Sequence, residues 1–140
     1  MNYLVPLDTG AGELEKILSG TKSMLVKAFD PAQPAEQPVR PGDSLYFLRE
    51  KDEGAVRVKA TVVRVLPTKE CSNEDLSQLL KELQPRLQLT EEQYNYWSAR
   101  QRMLLVEFHA AQKIAVIHIA SHVITDHPDW FPFEEFSLIT

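Results

Sequence analysis

Two lysines, Lys22 and Lys27, stand five positions apart in the stretch Gly20-Thr21-Lys22-Ser23-Met24-Leu25-Val26-Lys27. Amines so placed suit two kinds of chemistry. In a partly desolvated cleft beside another cation, Lys22 would have its charged form disfavoured by burial and by like charge, which makes an amine a base or a nucleophile near neutral pH. Lys22 and Lys27 with Arg40 or Arg49 nearby would instead bind phosphate, while Tyr46, Trp97 or Trp130 stack on an unpaired base. The plain alternative is that Lys22 is an exposed charge at the mouth of a strand.

The other reactive side chains offer less. Cys71 is the single cysteine, so an intrachain disulfide and a multi-cysteine zinc site are excluded, and no base stands evidently beside the thiol. His118 and His122 are four apart on a strand-like stretch, where that spacing does not converge them as it would on a helix. With Glu107 and His109 they give no recognised ligand spacing, so no metal is expected. None of the five glycines forms a phosphate-cradling loop, and no cofactor is implied.

The elements that must position the lysines can be read from periodicity. Leu14, Ile17 and Leu18 form the stripe of a helix from about Ala11 to Ser19, opened by Asp8 or Thr9 and stopped at Gly20. A strand follows in which Met24, Val26 and Ala28 share one face. Lys22 would lie with Met24, and Ser23, Leu25 and Lys27 on the opposite face, so the two lysines need not touch. Upstream, Tyr3 to Leu7 is a short strand whose Pro6 hints at an edge. Downstream, the prolines of Asp30 to Pro38 forbid regular pairing and leave a loop able to cover a ligand.

Pro41-Gly42-Asp43 is a tight turn into a strand from Ser44 to Arg49. Glu50 to Gly54 connects it to a return strand with Val56, Val58, Ala60 and Val62 on one face and Arg57, Lys59 and Thr61 on the other. Ser72 opens a helix with the stripe Leu76, Leu79, Leu80, Leu83, stopped by Pro85. Thr90 and Gln93 make a capping box for a second helix carrying Tyr94 and Trp97. Met103 to Ala110 is a strand with Leu104, Val106 and Phe108 inward. Lys113 to Ile119 returns as another strand, and Ser121 to Thr125 continues or closes it. The aromatic, proline-broken tail from Asp126 to Phe133 packs across the sheet in this reading, with an exposed docking segment as the alternative.

The segment Gly20-x-Lys22 followed by Lys27 resembles the signature of the ASCH family of the PUA-like superfamily, a Gly-x-Lys leading into a strand that ends in Arg. Val39 to Phe47 and Val56 to Leu66 look like the family's following strands. The resemblance implies an α+β fold, a mainly antiparallel PUA-like β-barrel with an N-terminal helix and a two-helix insertion at about 72–101. It also implies handling of RNA or modified bases. One ASCH group, small amidohydrolases that deacetylate acetylcytidine, uses the motif lysine with a threonine and a glutamate. Lys22 matches the lysine. Leu25 stands at the threonine position, and Glu74, Glu91 and Glu92 are all available as the glutamate. Lys27 in place of Arg keeps the charge but loses the planar fork that grips phosphate in two places.

For the whole chain, 140 residues suit one domain, 1–140, with a core of its own. The net charge of −5 argues against binding nucleic acid chiefly by neutralising many phosphates, though a local basic cleft is compatible with it. No leader or membrane-spanning segment is evident, so the expected location is the cytoplasm. The leading functional expectation is a module that binds RNA or a nucleotide at Gly20, Thr21, Lys22, Lys27, Arg40, Tyr46 and Arg49. The alternatives are a hydrolase acting on a modified nucleoside, with Lys22 catalytic, and a protein-interaction module using the Pro-rich loop or the aromatic tail.

Overall fold

In the computed structural model, which describes residues 1–8, 10–28, 39–49, 54–68, 72–100, 103–126 and 130–140, two long strands form the backbone of the architecture. They are β4, Ala55–Pro67, and β5, Met103–His118, paired antiparallel along their length. Around them stand β1 (Asn2–Leu7), β2 (Met24–Ala28), β3 (Ser44–Arg49) and β6 (Phe131–Phe133), giving one six-stranded sheet in the order β2-β5-β4-β3-β1-β6. Every pairing is antiparallel except β1 with β3, so the fold is α+β with a mainly antiparallel, half-barrel sheet. The readings made for Thr9, the loop 30–38, the connection 50–53, Cys71 and residues 127–129 lie outside the described residues.

The curl of the sheet comes from unequal counts along β4 and β5. Lys59 faces Gln112 and Thr61 faces His109, so β5 carries an extra residue there, and Ala110 takes it up with a φ of 55°. This corrects the expected break after Ala110. The small and polar run His109 to Gln112 imitates a turn in sequence, but β4 is long enough to go on pairing, and one strand continues to His118. Ser121–Asp126 then forms a short helix, α4, instead of prolonging the strand.

Side chains alternate as the sequence predicts. Leu104, Val106 and Phe108 of β5 meet Val58, Ala60 and Val62 of β4 inside the curl, with Leu14 and Ile17 of α1 (Glu13–Leu18) closing one end. On the other side of β5, Met103 and Leu105 join Met24 of β2 and pack under α2 (Asn73–Leu87). Leu76 and Leu80 of α2 are fully buried there. Pro85 does not stop this helix: Leu87, seven residues after Leu80, extends the buried stripe, and the helix ends at Gln88 with a φ of 50°. A third helix, α3 (Glu91–Ser98), opens on the expected box, in which the Gln93 amide donates to the Thr90 hydroxyl and the Thr90 amide to the Gln93 side chain.

Two more expectations shift. Pro6 is not on an edge strand, since β1 lies between β3 and β6; but β6 pairs only with Asn2 to Leu4, leaving Pro6 beyond its reach. The aromatic tail packs on the sheet. Phe133 is buried against Leu4, Tyr46 and Phe136, with ring centroids 5.8 Å from Tyr46 and 4.8 Å from Phe136. Because that burial removes a large aromatic surface from water, Phe133→Ala is expected to cost about 3–5 kcal/mol in urea-unfolding experiments. A loss below about 1 kcal/mol would mean the tail is not part of the core.

Candidate functional site

Lys22 is held where three segments meet. Its amide donates to the Lys16 carbonyl at 3.0 Å, closing the turn after α1, in which Gly20 has a φ of 82°. The next residue links both neighbours: the Ser23 amide donates to the Arg86 carbonyl of α2, and the Phe108 amide of β5 donates to the Ser23 carbonyl. The Lys22 side chain therefore runs inward, under the turn between α2 and α3, and is only 2% exposed. This corrects the reading of an exposed charge at a strand mouth.

Its ammonium donates to the Leu87 carbonyl, and Lys16 donates to the Gln88 carbonyl at 3.3 Å. These carbonyls close α2, where a helix leaves acceptors unpaired and carries partial negative charge. Leu87 is the single hydrogen-bond partner of the Lys22 ammonium among the described residues. A lysine has three donors, so the others are available to a ligand or to water.

Beside it lies Glu13, the first residue of α1, only 8% exposed. The side chain of Gln93 donates to Glu13 at 2.7 Å and lies 3.4 Å from Asp8. Burial pushes the Lys22 amine down to about 8, opposed by the charge of Glu13 and reinforced by Lys16. Burial raises the Glu13 carboxyl, against the pull of Lys22 and the Gln93 hydrogen bond, with Asp8 adding to the rise.

These groups form the floor of a cavity of about 480 Å³. Leu25 and Val26 of β2 make one wall, with Val5 and Pro6 of β1. Trp97 and Tyr96 of α3 face in from another side, and Trp130 comes from the chain just before β6. Tyr96 is 52% exposed, stands edge-on to Trp97 at 5.0 Å, and has Arg100 over its ring at 4.2 Å. Asp8 and Glu92 also line it, so that among the described residues three carboxylates and one ammonium face the cavity.

The structure thus brings together only some of the residues singled out in the sequence. Lys22, Trp97, Trp130, Leu25 and, among the three glutamates, Glu92 line this cavity. Gly20 and Thr21 are exposed in the turn beneath it, the Thr21 hydroxyl 2.9 Å from that of Ser19. Lys27 is half-buried and reaches the Ala28 carbonyl at 3.4 Å. Arg40 lies in the turn before β3, its amide bonded to Asp43. Arg49 pairs with Glu15, and Tyr46 packs between Phe133 and Phe136 with Lys59 over its ring. None of these three lines the cavity. His118 at the end of β5 and His122 in α4 are both exposed, and Glu107 is engaged by Arg64 and Arg86.

Glu13 and Gln93 were not picked out as site residues. A signal for Glu13 was present: it lies four residues before Ile17 and next to Leu14, on the edge of the buried stripe of α1. The structure turns that stripe by one position, burying Glu13 and leaving Leu18 38% exposed.

Comparison with solved structures finds the ASCH protein of Zymomonas mobilis, with a TM-score of 0.68 at 13% identity over 96% of this chain and 88% of that one. A tyrosine-to-phenylalanine variant of the same protein gives 0.69 at 12% identity, covering 98% and 93% of the two chains. A serine-to-alanine variant gives 0.67 at 12%, covering 99% and 96%. The chain therefore has an ASCH-like fold. No protein-family model matches the sequence, and no curated protein does.

The depressed Lys22 amine has a consequence for stability. Between about pH 8 and 10.5 the unfolded chain keeps a proton that the folded chain has released, so this group makes stability rise with pH across that window. The wild type should gain up to about 3 kcal/mol relative to Lys22→Met over that range, read from urea unfolding at a series of pH values. Parallel stability curves for the two proteins would show that Lys22 is not held as described.

Proposed function

We propose that this ASCH-like domain binds a nucleobase in the Lys22 cavity, presented as a nucleoside or as an unpaired base of RNA. The observation that carries the reading is the pairing of a buried amine donor, Lys22, with a buried carboxylate acceptor, Glu13, on the floor of an aromatic-walled cavity of about 480 Å³. A base presents carbonyl oxygens and N–H groups side by side along one edge, and it has a flat face that stacks on an aromatic ring at a gain of about 1–3 kcal/mol. Lys22 would give its free donors to a base carbonyl, Glu13 would accept from an adjacent N–H, and Trp97 or Trp130 would take the face.

The lining also argues about phosphate. Among the described residues of the lining, Asp8 and Glu92 stand with Glu13 against one cation, Lys22, and Arg40 and Arg49 lie elsewhere. A phosphate at this mouth gains nothing from them, so the base and not the backbone carries recognition. Location in the cytoplasm, where RNA and nucleosides occur, accompanies this proposal; no helix among the described residues is long and apolar enough to cross a membrane.

A second reading, hydrolysis of an acylated nucleoside, is favoured by the amine pushed down to about 8. Roughly a tenth of such amines are neutral at pH 7, against roughly one in three thousand for an ordinary lysine. Leu25, in the wall, offers no hydroxyl, so water would be the nucleophile. Neutral Lys22 would take a proton from water as it adds to the acyl carbon and, as the ammonium, return it to the departing nitrogen, yielding free acid and amine.

Binding is tested by amide NMR titration with cytidine, acetylcytidine and guanosine, each beside its 5′-monophosphate. A nucleoside should shift Glu13, Lys22 and Gln93, its monophosphate should bind no more tightly, and Lys22→Met or Glu13→Gln should weaken binding by about tenfold or more. Arg49→Gln should change affinity less than about twofold. Monophosphates that bind far more tightly, or shifts away from these residues, would sink the reading. For the second reading, acetylcytidine turnover should rise to a plateau above about pH 8 and vanish in Lys22→Met; binding without turnover would exclude it.

A further inference from the structure

We propose a second ligand site on the other side of α1, built for a small amphiphilic anion: a carboxylate or phosphate group carried on an apolar body. Helix α1 separates two cavities. Glu13 faces the one described above, while Leu14, Glu15 and Leu18 line a second, of about 340 Å³, completed by the end of β3, the start of β4 and the later half of β5. This volume lies in the range of small-molecule sites.

The charge of this cavity is opposite to that of the first. Arg49, Arg57 and Lys113 line it, and Glu15 is the one carboxylate in the lining among the described residues. Glu15 is joined to Arg49. Arg57 and Lys113 are both exposed and make no ion pair or hydrogen bond among the described residues. In a chain whose net charge is −5, this is a local surplus of cations over carboxylates among the described residues. Such a concentration attracts an anion and raises its local concentration.

The same cavity has an apolar half, which rules the shape of the anion. Val58 and Leu14 are buried at its base, Ile114 is half-buried, and Leu18 and Val116 leave 38% and 45% of their surface in water. Covering those two side chains is favourable in proportion to the apolar area removed from solvent. A bare inorganic anion would satisfy the cations and leave this surface wet; a neutral hydrocarbon would do the reverse. A ligand with both parts satisfies each, the head between Arg57 and Lys113 and the body against Leu18 and Val116. The site is independent of the nucleobase reading, since no described residue lines both cavities.

The test uses octanoate, octanamide and inorganic phosphate as probes of the full chain, followed by amide NMR. Octanoate should shift residues 14–18 and 113–116 saturably, with affinity falling as salt rises. Octanamide and phosphate should each bind at least about tenfold more weakly. The double variant Arg57→Gln, Lys113→Gln should weaken octanoate about tenfold while leaving the amides around Lys22 in place, and Leu18→Ser should weaken octanoate but not phosphate. Equal binding of octanamide, shifts scattered over the surface, or an unchanged affinity in the double variant would overturn the proposal. Tighter binding of a short single-stranded RNA to the same residues would also overturn it, making the patch a nucleic-acid face.

Discussion

The burial of one amine organises much of this molecule. The Lys22 ammonium donates a hydrogen bond to the Leu87 carbonyl at the end of α2, and its own backbone is tied to Lys16. That arrangement requires α1, the start of β2 and the turn between α2 and α3 to meet at one place. Burying an ammonium is costly unless acceptors and countercharge are supplied, and here they come from the helix terminus and from Glu13. The residual cost shows in the depressed amine, which is what makes the group chemically interesting.

The sheet provides the frame on which this can be done. Unequal residue counts between β4 and β5 bend the pair, so that one face encloses the core sealed by α1 while the opposite side of β5 carries α2. Ser23 bonds to both β5 and α2, which sets Lys22 at the junction of the two layers. The floor of the cavity is therefore built from backbone hydrogen bonds of regular elements, and its polar groups stand on rigid supports. Its mouth is built from α3, where Tyr96 keeps half its surface in water, and from Trp130.

Helix α1 divides the surface by charge. One side of its six residues presents Glu13 to an aromatic, acid-rich cavity, and the other presents Leu14, Glu15 and Leu18 to a basic and apolar one. An acidic chain can in this way offer two chemically unlike concavities without either charge set neutralising the other.

Local patterns in the sequence determined much of the scaffold: the β3–β4 pairing, the inward faces of β4 and β5, the leucine stripe of α2, the capping box of α3 and the helix stop at Gly20. Each rests on residues a few positions apart, where period and turn chemistry act directly. The Gly-x-Lys resemblance pointed to the fold in the same way. What only the tertiary structure decided were relations across long separations. Lys22 is buried because a carbonyl 65 residues away in sequence accepts its hydrogen bond, and Glu13 becomes its neighbour because the whole of α1 turns by one position. The span of β5 through Ala110 depended on β4 going on pairing, and the persistence of α2 past Pro85 on a core waiting for Leu87. Charge type could be read along the chain, but the separation of Arg40, Arg49 and Tyr46 from Lys22 could not, because proximity is a property of packing and periodicity carries no record of it.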